Sequence, residues 1–171
     1  MAADNPMTCQ WRPMTPPDLD GVVQVAAEAF PNHPEDRDCF ADRLRLYPAA
    51  CRVLANADGG VAGYLVAYPW RLDDAPALNT RLGALPETAD VLYLHDLALT
   101  RAAQGGGHAK RGVDLAAQIA RDAGLEQIAL IAVNDAAPFW ARQGFEARHS
   151  KKLTEKLASY GEDAVYMIRA V

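Results

Sequence analysis

The sequence of 171 residues has few cysteines, no excess of positive charge and no long apolar run. Its three cysteines, Cys9, Cys39 and Cys51, form no CxxC pair, so neither a disulfide framework nor a zinc motif is indicated. No apolar stretch reaches about eighteen residues, and no signal-peptide pattern opens the chain. We therefore expect a cytoplasmic protein that is neither exported nor membrane-spanning. A net charge of −5 argues against nucleic acid and anionic membranes as partners.

Half of the residues are hydrophobic, which is enough for one sizeable core in a chain of this length. No repeat or low-complexity tract interrupts the sequence, and its Pro-rich and Gly-rich places are short enough to be turns. We expect a single domain spanning residues 1–171.

Hydrophobic periodicity predicts a mixed α/β order of elements. The strands are predicted at residues 8–14, 51–55, 61–70, 91–99, 127–133, 145–149 and 164–170. The helices are predicted at residues 15–30, 35–47, 109–123 and 136–143. Residues 56–60 are typical of a hairpin turn, whereas the strand–helix–strand unit from 91 to 133 predicts parallel pairing. The long polar segment 71–90 is expected to shape a binding site.

A glycine-rich turn, Gln104-Gly-Gly-Gly-His-Ala109, links a predicted central strand to a helix. Unpaired backbone N–H groups and the helix dipole favour phosphate at such a place, and glycine permits close approach. A P-loop would need Lys and Ser/Thr after the last glycine, and a dinucleotide fingerprint would need a third glycine where Lys110 stands. Both motifs are absent.

Two segments resemble the GNAT acetyltransferase superfamily. Gln104-x-x-Gly107-x-Ala109 is similar to its pyrophosphate loop, and a strand ending in Leu97-Ala98-Leu99 precedes it. The second segment, Asn134-x-x-Ala137-x-Phe139-Trp140-x-x-x-Gly144-Phe145, is similar to the second GNAT signature. The resemblance implies a mixed sheet of about seven strands, flanked by about four helices, with splayed central parallel strands.

The resemblance also implies acetyl-CoA as cosubstrate and no metal. Three groups of residues would bind it: Leu97, Ala98 and Leu99 along pantetheine; Gln104, Gly105, Gly106, Gly107, His108, Ala109 and Lys110 at the pyrophosphate; and Asn134, Ala137, Phe139 and Trp140 beside the arm. A backbone N–H near Leu97 would face the thioester oxygen.

His95 is the first candidate for a general base, because imidazole titrates near neutrality. The string around it, Leu94-His95-Asp96-Leu97-Ala98-Leu99, also resembles the corresponding strand of serotonin (arylalkylamine) N-acetyltransferases. The alternative is a hydrogen-bonded histidine without a catalytic role. Asp96 is the second candidate, although strand alternation directs it away from His95 unless a β-bulge intervenes.

Trp140 stands where the family usually has a tyrosine that protonates the leaving thiolate. An indole N–H donates a hydrogen bond but not a proton, so Trp140 is interpreted as a packing residue. Tyr93, Tyr160 or a water could supply the proton instead.

These observations predict an N-acetyltransferase that acts on a primary amine by direct transfer in a ternary complex. A small-molecule amine is the preferred acceptor, with a protein N-terminus or lysine as alternatives. Two other functions stay open: an acyl-CoA-binding sensor or structural protein without turnover, and a nucleotide-binding module that uses the glycine turn. The final strands could pair across a homodimer.

Overall fold

The predicted strands join one seven-stranded mixed sheet in the computed structural model, which describes residues 8–171. The strands are β1 Gln10–Pro13, β2 Cys51–Ala55, β3 Val61–Trp70, β4 Val91–Leu99, β5 Gln127–Ala132, β6 Glu146–Ala147 and β7 Val165–Ala170. The helices are α1 Leu19–Ala29, α2 Arg37–Leu46, α3 His108–Asp122, α4 Ala137–Arg142 and α5 Thr154–Tyr160. Within this described part, no helix is long and apolar enough to cross a bilayer.

The predicted elements are confirmed, with shifts at their ends. α2 starts at Arg37 instead of residue 35, and the predicted strand 145–149 shortens to the two residues of β6. The expectation of about four helices missed α5, a seven-residue helix with few apolar positions. Its fixed position depends on tertiary contacts, which local periodicity does not report.

The strand order is β1-β2-β3-β4-β5-β7-β6, and among these seven strands of residues 8–171 only β4 and β5 pair in parallel. Their pairing covers Leu92 with Ile128 and Tyr93 with Ala129, after which β4 continues to Leu99 without a partner on that side. The prediction of splayed central parallel strands is therefore confirmed. The gap leaves the backbone groups of β4 after Tyr93 accessible to a molecule bound between the two strands.

A β-bulge interrupts β4 at His95. Val66 of β3 pairs with Asp96 and Ala67 pairs with Leu94, so His95 has no residue opposite it. The extra residue resets the alternation of the strand. As a result the His95 and Asp96 side chains reach the same cluster, although they are neighbours in a strand.

Apolar side chains cover both faces of the sheet. α3 and α4 pack on one face, where Leu92, Val113 and Ile128 are fully buried. α1 and α2 cover the other face around Val22 and Phe40. Burial on both faces explains why β4 is almost continuously apolar.

The long segment 71–90 is fastened to α2. Backbone N–H groups of Leu82 and Gly83 donate to the Asp42 carboxylate at 2.6 and 3.2 Å, and Arg43 donates to the Thr80 carbonyl. Asp42 and Arg43 are themselves buried. The segment is thereby held against α2.

Close approach of β3 to β4 requires Gly63, which predicts that Gly63→Ala destabilises the protein. An added Cβ would lie 2.7 Å from the Ala98 carbonyl oxygen and 2.6 Å from a Leu99 methyl. The expected loss in free energy of unfolding is about 1–3 kcal/mol, because backbone atoms cannot move aside cheaply. Urea denaturation measures it. Asp122→Glu, which adds one methylene at the exposed end of α3, is the control and should stay within about 0.5 kcal/mol of wild type.

Candidate active site

Two adjoining cavities lie where β4 parts from β5. The outer cleft, of about 440 Å³, runs along the glycine turn. The inner cavity, of about 140 Å³, reaches between α1, α2 and the sheet. Leu97 and Phe139 line both of them, so the two cavities share a wall, and we call the pair, which runs from the glycine turn inward, the path.

Backbone conformation shapes the outer cleft. Gly105 and Gly107 have φ of 87° and 78°, a left-handed region that glycine adopts readily. Trp11 of β1 donates through Nε1 to the His108 carbonyl at 3.0 Å and anchors the start of α3. The N–H of Arg111 bonds back to Gly107, which leaves the N–H groups of Ala109 and Lys110 without an intrahelical acceptor. The turn therefore presents donors and a positive dipole end to the cleft.

Most of the predicted cofactor residues line this path. The outer cleft contacts Leu97, Leu99, Gln104, Gly105, Gly107, His108, Ala109, Lys110 and Phe139. Trp140 lines the inner cavity instead. The His108 side chain is 2% exposed, which leaves mainly its backbone to act in the cleft.

Four of the predicted cofactor residues, Ala98, Gly106, Asn134 and Ala137, line neither cavity, and their part in cofactor binding stays a prediction. The Ala98 side chain packs with the α1 and α2 face of the core, so strand alternation turns it away from the cleft. Asn134 is exposed with a φ of 55°, in the turn that follows β5. The residues flanking that turn, Val133 and Ala136, line the inner cavity.

Three ionisable side chains meet at the inner cavity. His95 Nε2 lies 2.6 Å from Glu35 Oε1 and 3.9 Å from Asp96 Oδ2. The Glu35 and His95 side chains are about equally buried, at 5% and 4% exposed, whereas Asp96 is 15% exposed. We call this set the Glu35–His95–Asp96 cluster. Asp96 is its most accessible member.

Secondary contacts orient both carboxylates. Glu35 Oε2 accepts from the Asn79 N–H at 3.1 Å, which ties the 71–90 segment to the cluster. Asp96 Oδ2 accepts from the Tyr64 hydroxyl at 2.8 Å. Each carboxylate thus has a donor of its own besides the shared histidine.

Burial and mutual charge move the pKa of every member. Burial lowers the pKa of His95, but the negative charges of Glu35 and Asp96 outweigh it, so the net shift is upward. The pKa of Asp96 is raised to about 6, mainly by burial. The negative charge of Glu35 acts in the same direction, and the charge of His95 acts against it. For Glu35, burial acts upward but His95 dominates with its charge and hydrogen bond, and the pKa is lowered. Glu35 is consequently the ionised partner that holds the histidine.

A buried arginine balances the acids. The Arg43 side chain is fully buried, with its guanidinium 5.7 Å from the centre of the Tyr68 ring. Tyr68 in turn packs against His95 at 6.2 Å between ring centres. The positive charge of Arg43 lowers the pKa of Glu35, His95 and Asp96 alike.

The aromatic residues considered as acids are placed differently. Trp140 packs edge-to-face against Phe139 and Phe145, with ring centres 5.0 and 5.3 Å apart, as expected of a packing residue. Tyr160 lines the inner cavity, but its hydroxyl donates to the Pro76 carbonyl at 2.8 Å. Burial raises the pKa of both Tyr93 and Tyr160, which makes neither a better proton donor.

Comparison with known proteins decides the family. The sequence profile of the acetyltransferase (GNAT) family matches residues 19–145, about three quarters of the chain. The chain belongs to the GNAT family. The matched range contains the glycine turn, the Glu35–His95–Asp96 cluster and the 71–90 segment, whereas α5 and β7 follow it. No curated protein sequence matches the chain significantly.

Solved structures share the GNAT fold across almost the whole chain. Ard1 from Thermoplasma volcanium has a TM-score of 0.72 at 16% identity, covering 96% of this chain and 98% of its own. The GNAT-like decarboxylase GphF, in complex with isobutyryl-CoA, has a TM-score of 0.74 at 18% identity, covering 94% and 98%. The family member YhbS from Escherichia coli, in complex with CoA, has a TM-score of 0.64 at 18% identity, covering 99% and 85%.

The cluster also has the composition of a metal site, with ligand atoms within 4.8 Å of one another. Two ligands on a tetrahedral zinc stand about 3.3 Å apart, given bonds of about 2.0–2.1 Å. The 2.6 Å separation of His95 Nε2 from Glu35 Oε1 is instead that of a hydrogen bond. The geometry favours proton chemistry in this GNAT site over metal binding.

Sequence reasoning missed Glu35, His33, Arg43 and Tyr64. Glu35 was assigned to the start of α2, where an acid is typical for its effect on the helix dipole. It meets His95 across 60 positions of sequence. His33, which lines the inner cavity and bonds through Nε2 to the Tyr160 carbonyl, had no motif around it. No local signal distinguishes these residues from ordinary polar positions.

Glu35→Gln should move the titration of His95 to lower pH. The substitution removes the charge that raises this pKa while the burial that lowers it remains. NMR titration of the ring protons, assigned with His95→Gln, measures the shift. Glu28→Gln, at an exposed position of α1, is the matched control and should leave His95 unchanged. An equal titration of His95 in Glu35→Gln and wild type would contradict the ion pair.

Proposed function

We propose that this GNAT protein transfers an acetyl group from acetyl-CoA to a primary amine by direct attack in a ternary complex. The observation that carries the proposal is the pair of adjoining cavities that lead from the glycine turn, beside the parted strands, to the Glu35–His95–Asp96 cluster. One end has donors suited to a diphosphate, and the other end has groups suited to removing a proton from an ammonium ion.

Acetyl-CoA would lie along the outer cleft, with its diphosphate at the N–H groups of the glycine turn and its arm between β4 and β5. CoA bound to YhbS and isobutyryl-CoA bound to GphF support this placement, because both proteins share the fold. Beyond Tyr93, β4 has no β5 partner, so backbone groups near Leu97 are available to pantetheine and to the thioester oxygen.

His95 is proposed as the general base and Glu35 as the residue that positions it. With Glu35 ionised, Nε2 of the neutral imidazole carries the hydrogen and donates to Oε1, so Nδ1 is the basic nitrogen. This is the arrangement by which a carboxylate fixes the tautomer of a catalytic histidine. Asp96, the most exposed member, attracts the incoming ammonium.

The reaction balances without a further reagent. The ammonium loses one proton to His95, and its nitrogen lone pair then attacks the thioester carbonyl carbon. The N–C bond forms, the C–S bond breaks, and CoA leaves as a thiolate. A thiol has a pKa of about 8.5, so the thiolate leaves without an acid in the place of Trp140 and takes its proton from water or imidazolium. The second proton of the amine goes to solvent.

The acceptor is proposed to be a small-molecule amine that enters the inner cavity. That cavity lies on the opposite side of the thioester position from the glycine turn, and it contains the base. A protein N-terminus or lysine is the alternative acceptor.

One observation favours a protein without turnover, namely Trp140 in the position of the usual acid. Its packing against Phe139 and Phe145 gives it a structural role. The same cavity nevertheless holds a buried base cluster, which costs stability and has no use in a sensor. Catalysis is therefore the better interpretation.

Thiol release from acetyl-CoA with a panel of amines, amino acids and peptides tests the proposal. We expect amine-dependent release that falls in His95→Gln by about 10²–10⁴, the usual contribution of a general base. CoA affinity, measured by calorimetry, should persist in this variant. Binding of CoA with no release for any acceptor would instead identify a sensor.

The pH dependence of kcat/KM identifies the base. A base must be unprotonated, so activity falls as the pH drops through its pKa. If His95 is the base, the midpoint of this pH profile lies above about 6.5, the usual pKa of histidine. The charges of Glu35 and Asp96 raise the pKa of His95 by more than burial and Arg43 lower it. Glu35→Gln then moves the midpoint down. A midpoint at about 6 that disappears in Asp96→Asn would assign the role to Asp96.

Gly107→Ala should weaken CoA binding at least tenfold. A side chain strains the backbone at a φ of 78° and displaces the N–H groups that the diphosphate would use. Gly124→Ala is the matched control, because Gly124 has a φ of 73°, is equally free of neighbours and lies at the far end of α3. Both variants should lose about 1 kcal/mol of stability, but only Gly107→Ala should lose CoA affinity in calorimetry. Equal CoA affinities would contradict the role of the turn.

A further inference from the structure

We propose that the inner cavity selects a monoamine that carries no carboxylate and has a compact apolar body. The inference rests on the proposed function, in which this cavity takes the acceptor. It narrows that function, because it excludes amino acids and peptide N-termini as good acceptors.

The first argument is the sign of the charge around the cavity. Glu35 and Asp96 both line it, and both carboxylates approach His95 Nε2. None of its lining residues within the described chain is a lysine or an arginine. An ammonium ion is attracted to this end, whereas a carboxylate on the same small molecule would face two acids in a region of low dielectric.

Neighbouring cationic side chains do not cancel the negative charge of the cavity lining. The Arg43 side chain is fully buried, does not line the cavity, and donates through Nη1 to the carbonyls of Thr80 and Cys39. Lys156 is paired with Asp74 at 2.8 Å. His33 lines the cavity, and its Nε2 is already engaged by the Tyr160 carbonyl. Neither Arg43 nor Lys156 is placed to receive a carboxylate in the cavity.

The second argument is size and polarity. Apart from the cluster, the walls are largely apolar, with Phe30, Phe40, Leu78 and Phe139 among them. The cavity volume is about 140 Å³. An apolar protein cavity of about 150 Å³ binds benzene, so the body of the acceptor should be about that size. A polyamine or an aminoglycoside would leave polar groups unpaired against these walls.

The third argument is that three chain segments are joined at one side of the cavity. Tyr160 of α5 donates through its hydroxyl to Pro76 of the 71–90 segment at 2.8 Å. Its backbone carbonyl accepts from His33, in the connection between α1 and α2. These bonds join the segments at the cavity wall. This wall restricts the room on that side for the remainder of a peptide, whereas a small amine needs no room beyond the cavity.

Matched pairs of acceptors that differ by one carboxylate test the inference. Phenethylamine is compared with phenylalanine, and isoamylamine is compared with leucine. The tripeptide phenylalanyl-glycyl-glycine represents a peptide N-terminus. We expect kcat/KM for each amine to exceed that of its amino acid by at least about 100-fold. Only the amino acid brings a carboxylate toward the carboxylates of Glu35 and Asp96, and these like charges repel. The peptide should be as poor as the amino acids.

A cation placed in the lining should reverse part of the selection. Leu78→Arg introduces a guanidinium at a half-buried position of the 71–90 segment and should reduce the preference for amine over amino acid at least tenfold. Leu78→Met, which keeps the wall apolar, should retain the preference. Calorimetry with CoA verifies that both variants are folded.

The outcomes separate this inference from the proposed function. If acetyl transfer occurs but an amino acid or the peptide equals its amine, the inference is overturned and the acetyltransferase function stands. If no acceptor is acetylated, the function fails, and calorimetry of the same pairs with the CoA-loaded protein decides the selection. Binding of the amines but not the amino acids then supports the inference, and equal or absent binding of both overturns it.

Discussion

The separation of β4 from β5 after Tyr93 is the constraint on which the site depends. Parallel pairing ends after Leu92 and Tyr93, and the bulge at His95 follows immediately. The separation frees backbone groups of β4 and opens the path between the two cavities. The bulge turns His95 and Asp96 toward the same cavity, which regular alternation would prevent. Backbone geometry therefore creates both the gap between the strands and the pair of ionisable groups beside it.

The buried charges at the end of that path are a cost to the fold. Glu35, His95 and Arg43 are almost completely buried, and buried charges destabilise a protein unless each is paired. Here they compensate one another, since burial raises the pKa of Glu35 and Asp96 and Arg43 lowers both. Apolar residues at these three positions would avoid the cost of burying charge. Buried charged residues that a fold does not need for stability are expected at sites where the protein carries out chemistry.

Sequence patterns predicted the parts of this protein that are local in the chain. The strands, four of the five helices and the glycine turn follow from periodicity and turn residues, and the family motifs identified most residues of the outer cleft. The bulge was foreseen only as a condition for Asp96 to join His95. Glu35 and Arg43 were not found, because their roles arise from contacts of α2 and its preceding loop with β4 and the 71–90 segment. Such contacts leave no trace in local spacing.

The two halves of the site differ in how they are built, and this has a consequence for specificity. The outer cleft is lined by the glycine turn, Leu97 and Leu99 of β4, Phe139 and Gln143, and its glycines contribute only main-chain atoms. The inner cavity is formed by side chains from the α1–α2 connection, the 71–90 segment and α5, joined by bonds such as Tyr160 to Pro76. Relatives below 20% identity keep the fold and bind CoA or an acyl-CoA. Main-chain donors tolerate such divergence, whereas a cavity formed by side chains changes with each substitution. On the proposed function, selectivity for the acceptor is therefore set by the charge and size of this chain's own residues in the inner cavity.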